Sequence, residues 1–150
     1  VENDKHVDVA DPQLDTNRRL ENLCNRSQLD FEIEFFERIL SRDPNYLEVL
    51  VILGELFSRK GCHRRALRVD LRLVRLKPGC ASTRYNLACS YSLLDRKDEA
   101  LNALQQAVDL GYSDLDFMLA DPDLARLQAL PGFQWLISRI AGRDGTQHVI

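Results

Sequence analysis

Two copies of one pattern stand 34 residues apart, and that interval constrains the fold of this chain more than any other feature. Leu87, Ala88, Tyr91 and Ala100 follow Leu53, Gly54, Phe57 and Ala66 at that distance, and Pro78 follows Pro44. In each copy apolar residues recur every three or four positions, over 47–60 and 63–76 and again over 81–94 and 98–110. That spacing predicts amphipathic α-helices. Gly61 splits the first pair, and the polar stretch 95–98 splits the second. Helices this short do not hold together alone in water, so a neighbour must cover each apolar stripe. Gly54, Ala66, Ala88, Ala100 and Ala107 are the small residues that let antiparallel helices approach closely. The pattern therefore predicts an all-α stack of helical hairpins.

The interval and its landmarks resemble the tetratricopeptide repeat, whose pattern runs W-x2-L-G-x2-Y, then A-x3-F, then P. One unit supplies Leu50, Leu53, Gly54, Phe57, Ala66 and Pro78, and the next supplies Leu87, Ala88, Tyr91, Ala100, Leu104 and Ala107. A degenerate unit precedes them over 13–46. Its second helix, LDFEIEFFERILSRDPN, matches through Phe36 and Asp43-Pro44-Asn45, while its first offers only Leu20 and Leu23. The resemblance implies a right-handed superhelix of antiparallel hairpins over residues 13–112.

Gly111 is placed to end the last repeat helix, since glycine takes the left-handed conformation a helix C-cap needs. Ser113 followed by Asp116, then Asp121-Pro122, then Pro131 are start signals for three short helices. Similar Asp-Pro-Asp-Leu tails follow the last repeat in bacterial proteins of the family, so residues 113–142 are expected to close the solenoid's apolar end. Residues 1–12 and 143–150 are expected to be flexible segments.

Composition excludes several functions. Twenty basic and 23 acidic residues give a net charge of −3, which favours neither nucleic acid nor a membrane surface. No apolar run is long enough to span a bilayer. Cys24, Cys62, Cys80 and Cys89 form no C-x-x-C pair and read as reduced thiols, with a cytoplasmic setting as the default. There is no glycine-rich phosphate loop, no H-E-x-x-H and no G-x-S-x-G, and His6, His63 and His148 are scattered. Asp114, Asp116, Asp121 and Asp123 lack the spacing of a calcium loop and read as helix-start residues. No catalytic, metal or cofactor site is expected.

Charge is unevenly distributed along the chain. Arg64, Arg65, Arg68, Arg72 and Arg75 gather on one side of their helix, either as a solvated stripe bridging to Glu34 and Glu37 or as a docking patch for an acidic partner. Among them stand no aromatic residues on which RNA bases would stack. Two positions depart from the repeat pattern together. Asp70 falls in an apolar arc where the family usually places an aromatic, and Arg84 falls where the next helix should be apolar. The pair is expected to form a partly buried salt bridge across the hairpin boundary, or else to reach out to solvent.

In the family the first helix of each hairpin lines a concave groove that receives a peptide or a partner's helix. Carried onto this chain, that implies Glu48, Val51, Ile52, Glu55 and Arg59 from one hairpin and Ser82, Tyr85, Asn86 and Cys89 from the next. Asn17, Arg18 and Glu21 would come from the degenerate unit. Tyr85 is the expected anchor. Asn86 matches one position of the clamp that holds a chaperone's terminal carboxylate in some relatives. The partner positions carry Val51 and Glu55, and an acid there would repel that carboxylate. The resulting expectation is a non-catalytic scaffold or adaptor whose partner is another protein, its peptide both apolar and basic. The alternatives are a small chaperone for a secreted substrate, or an interaction piece of a larger enzyme.

Overall fold

The computed structural model describes residues 27–144, and all regular structure among them is helical. In chain order these are α1 (Gln28–Arg42), α2 (Leu47–Arg59), α3 (His63–Leu76), α4 (Ala81–Leu93), α5 (Lys97–Asp109) and α6 (Leu115–Ala120). A single 3-10 turn, Pro122–Leu124, and α7 (Pro131–Asp144) complete the set. The first helix of the degenerate unit lies outside the described residues, and with it Asn17, Arg18 and Glu21.

Each helix of the two full units starts and stops within a residue or so of where the apolar period places it. Three of the stops share one geometry. After α2, the Gly61 N–H donates to the Ser58 carbonyl and the Cys62 N–H to the Phe57 carbonyl. After α4, Asp95 and Arg96 repeat those bonds onto Ser92 and Tyr91, and after α5, Gly111 and Tyr112 repeat them onto Val108 and Ala107. This paired closure satisfies the last helical carbonyls and needs a left-handed residue at its centre. Gly61 and Gly111 take it at φ 75° and 102°, whereas Asp95 is forced into it at φ 60°.

α2 packs on α3 and α4 on α5 as hairpins, while α1 stacks on α2 and α3 on α4. The small residues sit at the crossings as the pattern requires: Gly54, Ala66, Ala88, Ala100 and Ala107 are all buried. Two cores result. One joins Ile33 of α1 to Leu50, Leu53 and Phe57 of α2 and to Val69 and Leu73 of α3. The other joins Leu67 and Val74 of α3 to Leu87 and Ala88 of α4 and to Leu104 and Val108 of α5. α3 serves both, so it is the shared wall of the stack.

The second core continues into the C-terminal helices. Met118, Leu124, Leu127, Phe133, Leu136 and Ile140 are sealed from solvent within it. Asp114 caps α6 by accepting the Phe117 N–H at 3.0 Å, and Asp121 caps the 3-10 turn by accepting the Asp123 N–H at 2.9 Å. The cap of α6 is thus Asp114, one residue beyond Ser113, because a carboxylate reaches the first free N–H groups and favours the positive end of the helix. Among the described residues no helix is long and apolar enough to cross a membrane.

Candidate functional site

A cavity of about 290 Å³ opens between α2 and α4, the first helices of the two hairpins. Val51, Gly54, Glu55 and Ser58 of α2 form one wall, and Asn86, Cys89, Ser90 and Leu93 of α4 form the other. Asp70 and Leu73 of α3 lie at its floor, and Asp123 reaches its rim from the 3-10 turn. The space therefore exists because two stacked hairpins diverge over their shared wall. Four of the residues expected in a groove, Val51, Glu55, Asn86 and Cys89, do meet there. Glu48, Ile52, Arg59 and Ser82 are exposed on the same helices but outside the cavity.

Tyr85 does not behave as an open anchor. It is only 4% exposed, its ring is stacked on Tyr112 at 4.4 Å between centroids with 11° between planes, and Phe117 leans against it at 5.8 Å. Its hydroxyl donates to Asp121 Oδ2 at 2.7 Å. Burial and that bond both push the Tyr85 hydroxyl pKa up, so it stays a donor. The segment after α5 folds back over α4 and fills the surface that Tyr85 was expected to offer. Residues distant in the chain meet there, and no periodicity announces such a contact.

Cys89 is buried beside the same seam. Its thiol sits 3.6 Å from Asp121 Oδ2, and burial followed by the neighbouring Asp121 and Asp123 charges pushes its pKa up. The Sγ atom and one oxygen of each aspartate lie within 4.8 Å of one another. A thiolate with two carboxylates is a possible cation set by residue type alone. Here the atoms are otherwise engaged. The thiol stays protonated, Asp121 Oδ2 accepts from Tyr85, and Asp121 Oδ1 accepts from the backbone of Asp123. The group works as a hydrogen-bonded seam that fastens the C-terminal segment to α4. Cys62, Cys80 and Cys89 are free thiols.

The expected Asp70–Arg84 ion pair does not form, and neither side chain simply extends to solvent. Asp70 is 6% exposed and accepts the Ser90 hydroxyl at Oδ2. Arg84, half-buried, donates from Nη1 to Gln106 Oε1 of α5 at 2.6 Å. The reason is angular. Ser90 lies six residues past Arg84, about 120° round α4 at roughly 100° per residue, so only Ser90 faces α3's acid. Burial raises the Asp70 carboxyl from 3.8 to about 6, with the Ser90 bond pulling the other way.

The arginine stripe lies elsewhere, at the seam of α1 and α3. Arg65, Arg68 and Arg72 line an open cleft of about 400 Å³ with Glu37, Leu40 and Phe57. Arg65 pairs with Glu37 and rests over the Phe57 ring at 4.2 Å, and Arg72 donates to Asn45 at 3.1 Å. Glu34 instead pairs with Arg38 on its own helix. Arg64 and Arg75 are exposed.

With this geometry in view, solved structures place the architecture. MamA from Desulfovibrio magneticus RS-1, residue 41 to the end, superposes with a TM-score of 0.64 at 19% identity, covering 93% of this chain and 78% of that one. A crystal structure of MamA gives 0.60 at 21% identity, covering 96% and 77%. The fold is a tetratricopeptide-like solenoid. Among curated proteins, a chloroplastic protein of Arabidopsis thaliana is 33% identical over 89 residues, 57% of this chain. The match takes in only 27% of that protein's length. No family model matches the chain.

Proposed function

We propose that this chain is a non-catalytic interaction module that holds a peptide or helix of another protein along the groove between α2 and α4. One observation carries the reading: the cavity there stays open, while the adjoining face of α4 around Tyr85 is covered by the C-terminal segment. Val51, at 48% exposure, and Ile52 offer the apolar contact, and Asn86 and Glu55 offer the polar contacts that set register. Residues 113–142 act as the cap of the stack, with α7 shielding Leu104 and Val108 of the last hairpin. The tetratricopeptide-like fold of MamA supports a binding role rather than a chemical one.

The test is capture followed by affinity. The intact chain is used to isolate a partner, and the Kd is then measured for Val51→Asp/Ile52→Asp beside the unchanged protein. A loss of at least about tenfold is expected, as for apolar anchors at an interface centre. Unchanged affinity in a folded double variant would move the site away from α2. A second reading concerns context. Because the match to the chloroplastic Arabidopsis protein spans about a quarter of that protein, the same module also suits service as one interaction domain of a longer chain.

A further inference from the structure

The floor of the α2–α4 cavity carries a feature that an ordinary peptide groove does not need. Asp70 is more than nine-tenths buried, yet its only hydrogen bond among the described residues is the one from Ser90 to Oδ2. No described residue donates to Oδ1. Facing that oxygen from α2 is Gly54, where an added Cβ would touch Oδ1 at 3.4 Å, so the glycine leaves this side of the carboxylate uncovered. The charged groups that share the space are acidic too, Glu55 from α2 and Asp123 from the 3-10 turn, and no lysine, arginine or histidine lines the cavity among the described residues. A buried carboxylate ordinarily has a cation or several donors beside it. This one has an open oxygen, apolar walls at Val51 and Leu93, and a path to the surface. Low-dielectric walls of one charge sign focus their field into the space between them.

We propose that this cavity receives a lysine side chain of the bound partner, its ammonium donating to Asp70 Oδ1 and its methylenes lying along Val51 and Leu93. The proposal rests on the groove reading above and names what that groove selects. Lysine fits better than arginine because Ser90 already occupies Oδ2. A guanidinium gains most from gripping both carboxylate oxygens, whereas an ammonium is a compact donor that needs one. Titration follows from the same geometry. The groups facing Asp70 are Glu55, Cys89 and Asp123. The Cys89 thiol is pushed up and stays neutral, and burial, then the Asp121 charge, raises Asp123 while His63 partly offsets it. Burial likewise pushes Asp70 up to about 6, so its charge is complete only above that pH. Lysine selection strengthens as the pH rises from about 5 to about 7.

The experiment uses three synthetic peptide pools of about eleven residues, randomised except for a central lysine, arginine or norleucine, with Kd measured on the full chain. The lysine pool is expected to bind about tenfold tighter than the norleucine pool, the scale of one charge-assisted hydrogen bond, with arginine weaker than lysine. Asp70→Asn, which keeps an acceptor for Ser90, is expected to bring lysine and norleucine to within about twofold while the protein stays folded. Equal binding of the lysine and norleucine pools, or a lysine preference that survives Asp70→Asn or ignores pH, would overturn the lysine pocket. If the pools show no charge preference but lose binding with Val51→Asp, the groove stands and the lysine pocket falls. If Val51→Asp leaves all binding intact, both fall.

Discussion

Val51 and Tyr85 occupy the same register in successive hairpins, 34 residues apart, and so do Glu55 and Cys89. Their fates differ. Val51 and Glu55 face open space on α2, while Tyr85 and Cys89 on α4 are roofed by Tyr112, Phe117 and Asp121. The repeat decides where a side chain points, and the segment beyond the repeat decides whether anything outside the molecule can reach it. The last hairpin has in effect bound its own C-terminal segment, while the α2 side and the seam beside it stay open.

The sharpest way to break that contrast is to truncate each member. Tyr85→Ala removes a stacked ring and takes the hydroxyl donor from Asp121 Oδ2, an expected loss of about 3–5 kcal/mol by denaturant unfolding. Val51→Ala, on an open surface, is expected to cost no more than about 0.5 kcal/mol. Equal costs would mean that the roof over α4 contributes nothing.

Asp70 sharpens the comparison from the floor of the cavity. Its folded pKa, about 6, lies above the ordinary 3.8, so the folded state holds the proton more tightly than the unfolded chain does. The stabilisation is fully present below 3.8 and is lost as pH rises through 6. Asp70→Asn is therefore expected to stabilise the protein near neutral pH by up to about 3 kcal/mol, and to change nothing at the acid end of that window. Tm against pH for both proteins checks it. A variant less stable than the parent at neutral pH would mean that Asp70 has a stabilising partner. A residue that lowers stability while facing an open cavity is better placed for binding than for folding.

The turns carry a smaller effect than Tyr85 or Asp70. Gly61 and Asp95 hold the same left-handed position in the two hairpins, but only glycine holds it without steric cost. Asp95→Gly is expected to add about 0.5–1 kcal/mol, and Gly61→Ala to remove a similar amount, read from urea midpoints at unchanged slope. If Asp95→Gly destabilises instead, the contacts of Asp95 with Lys97 and Arg126 outweigh the backbone strain.

What the sequence reveals divides along the same line. The hairpins, their turns, the buried small residues and the short C-terminal helices are legible because each follows from a local period or a cap signal. The fold-back of Tyr112 and Asp121 onto Tyr85 is not, since it joins residues far apart with no repeat to align them. Asp70 is legible as an anomaly but not as to its partner. Pairing it with Arg84 by charge ignores angle, whereas Ser90, a small polar residue on the buried face of α4, is the signal that identifies the true contact. Val51, Glu55, Asn86 and Cys89 meet around the cavity because the repeat register already aligns them.

The most direct measurement compares thiols at the two equivalent positions. In a chain with Cys24, Cys62 and Cys80 replaced by serine, the native Cys89 is labelled with an aromatic disulfide reagent. A matching chain carries Glu55→Cys and Cys89→Ala, and both are referenced to their unfolded rates. The position-55 thiol is expected to react at close to its unfolded rate, and Cys89 at least about a hundredfold more slowly, because it is buried and its pKa is raised. Comparable rates at the two positions would contradict the claim that one hairpin is filled from within and the other is open.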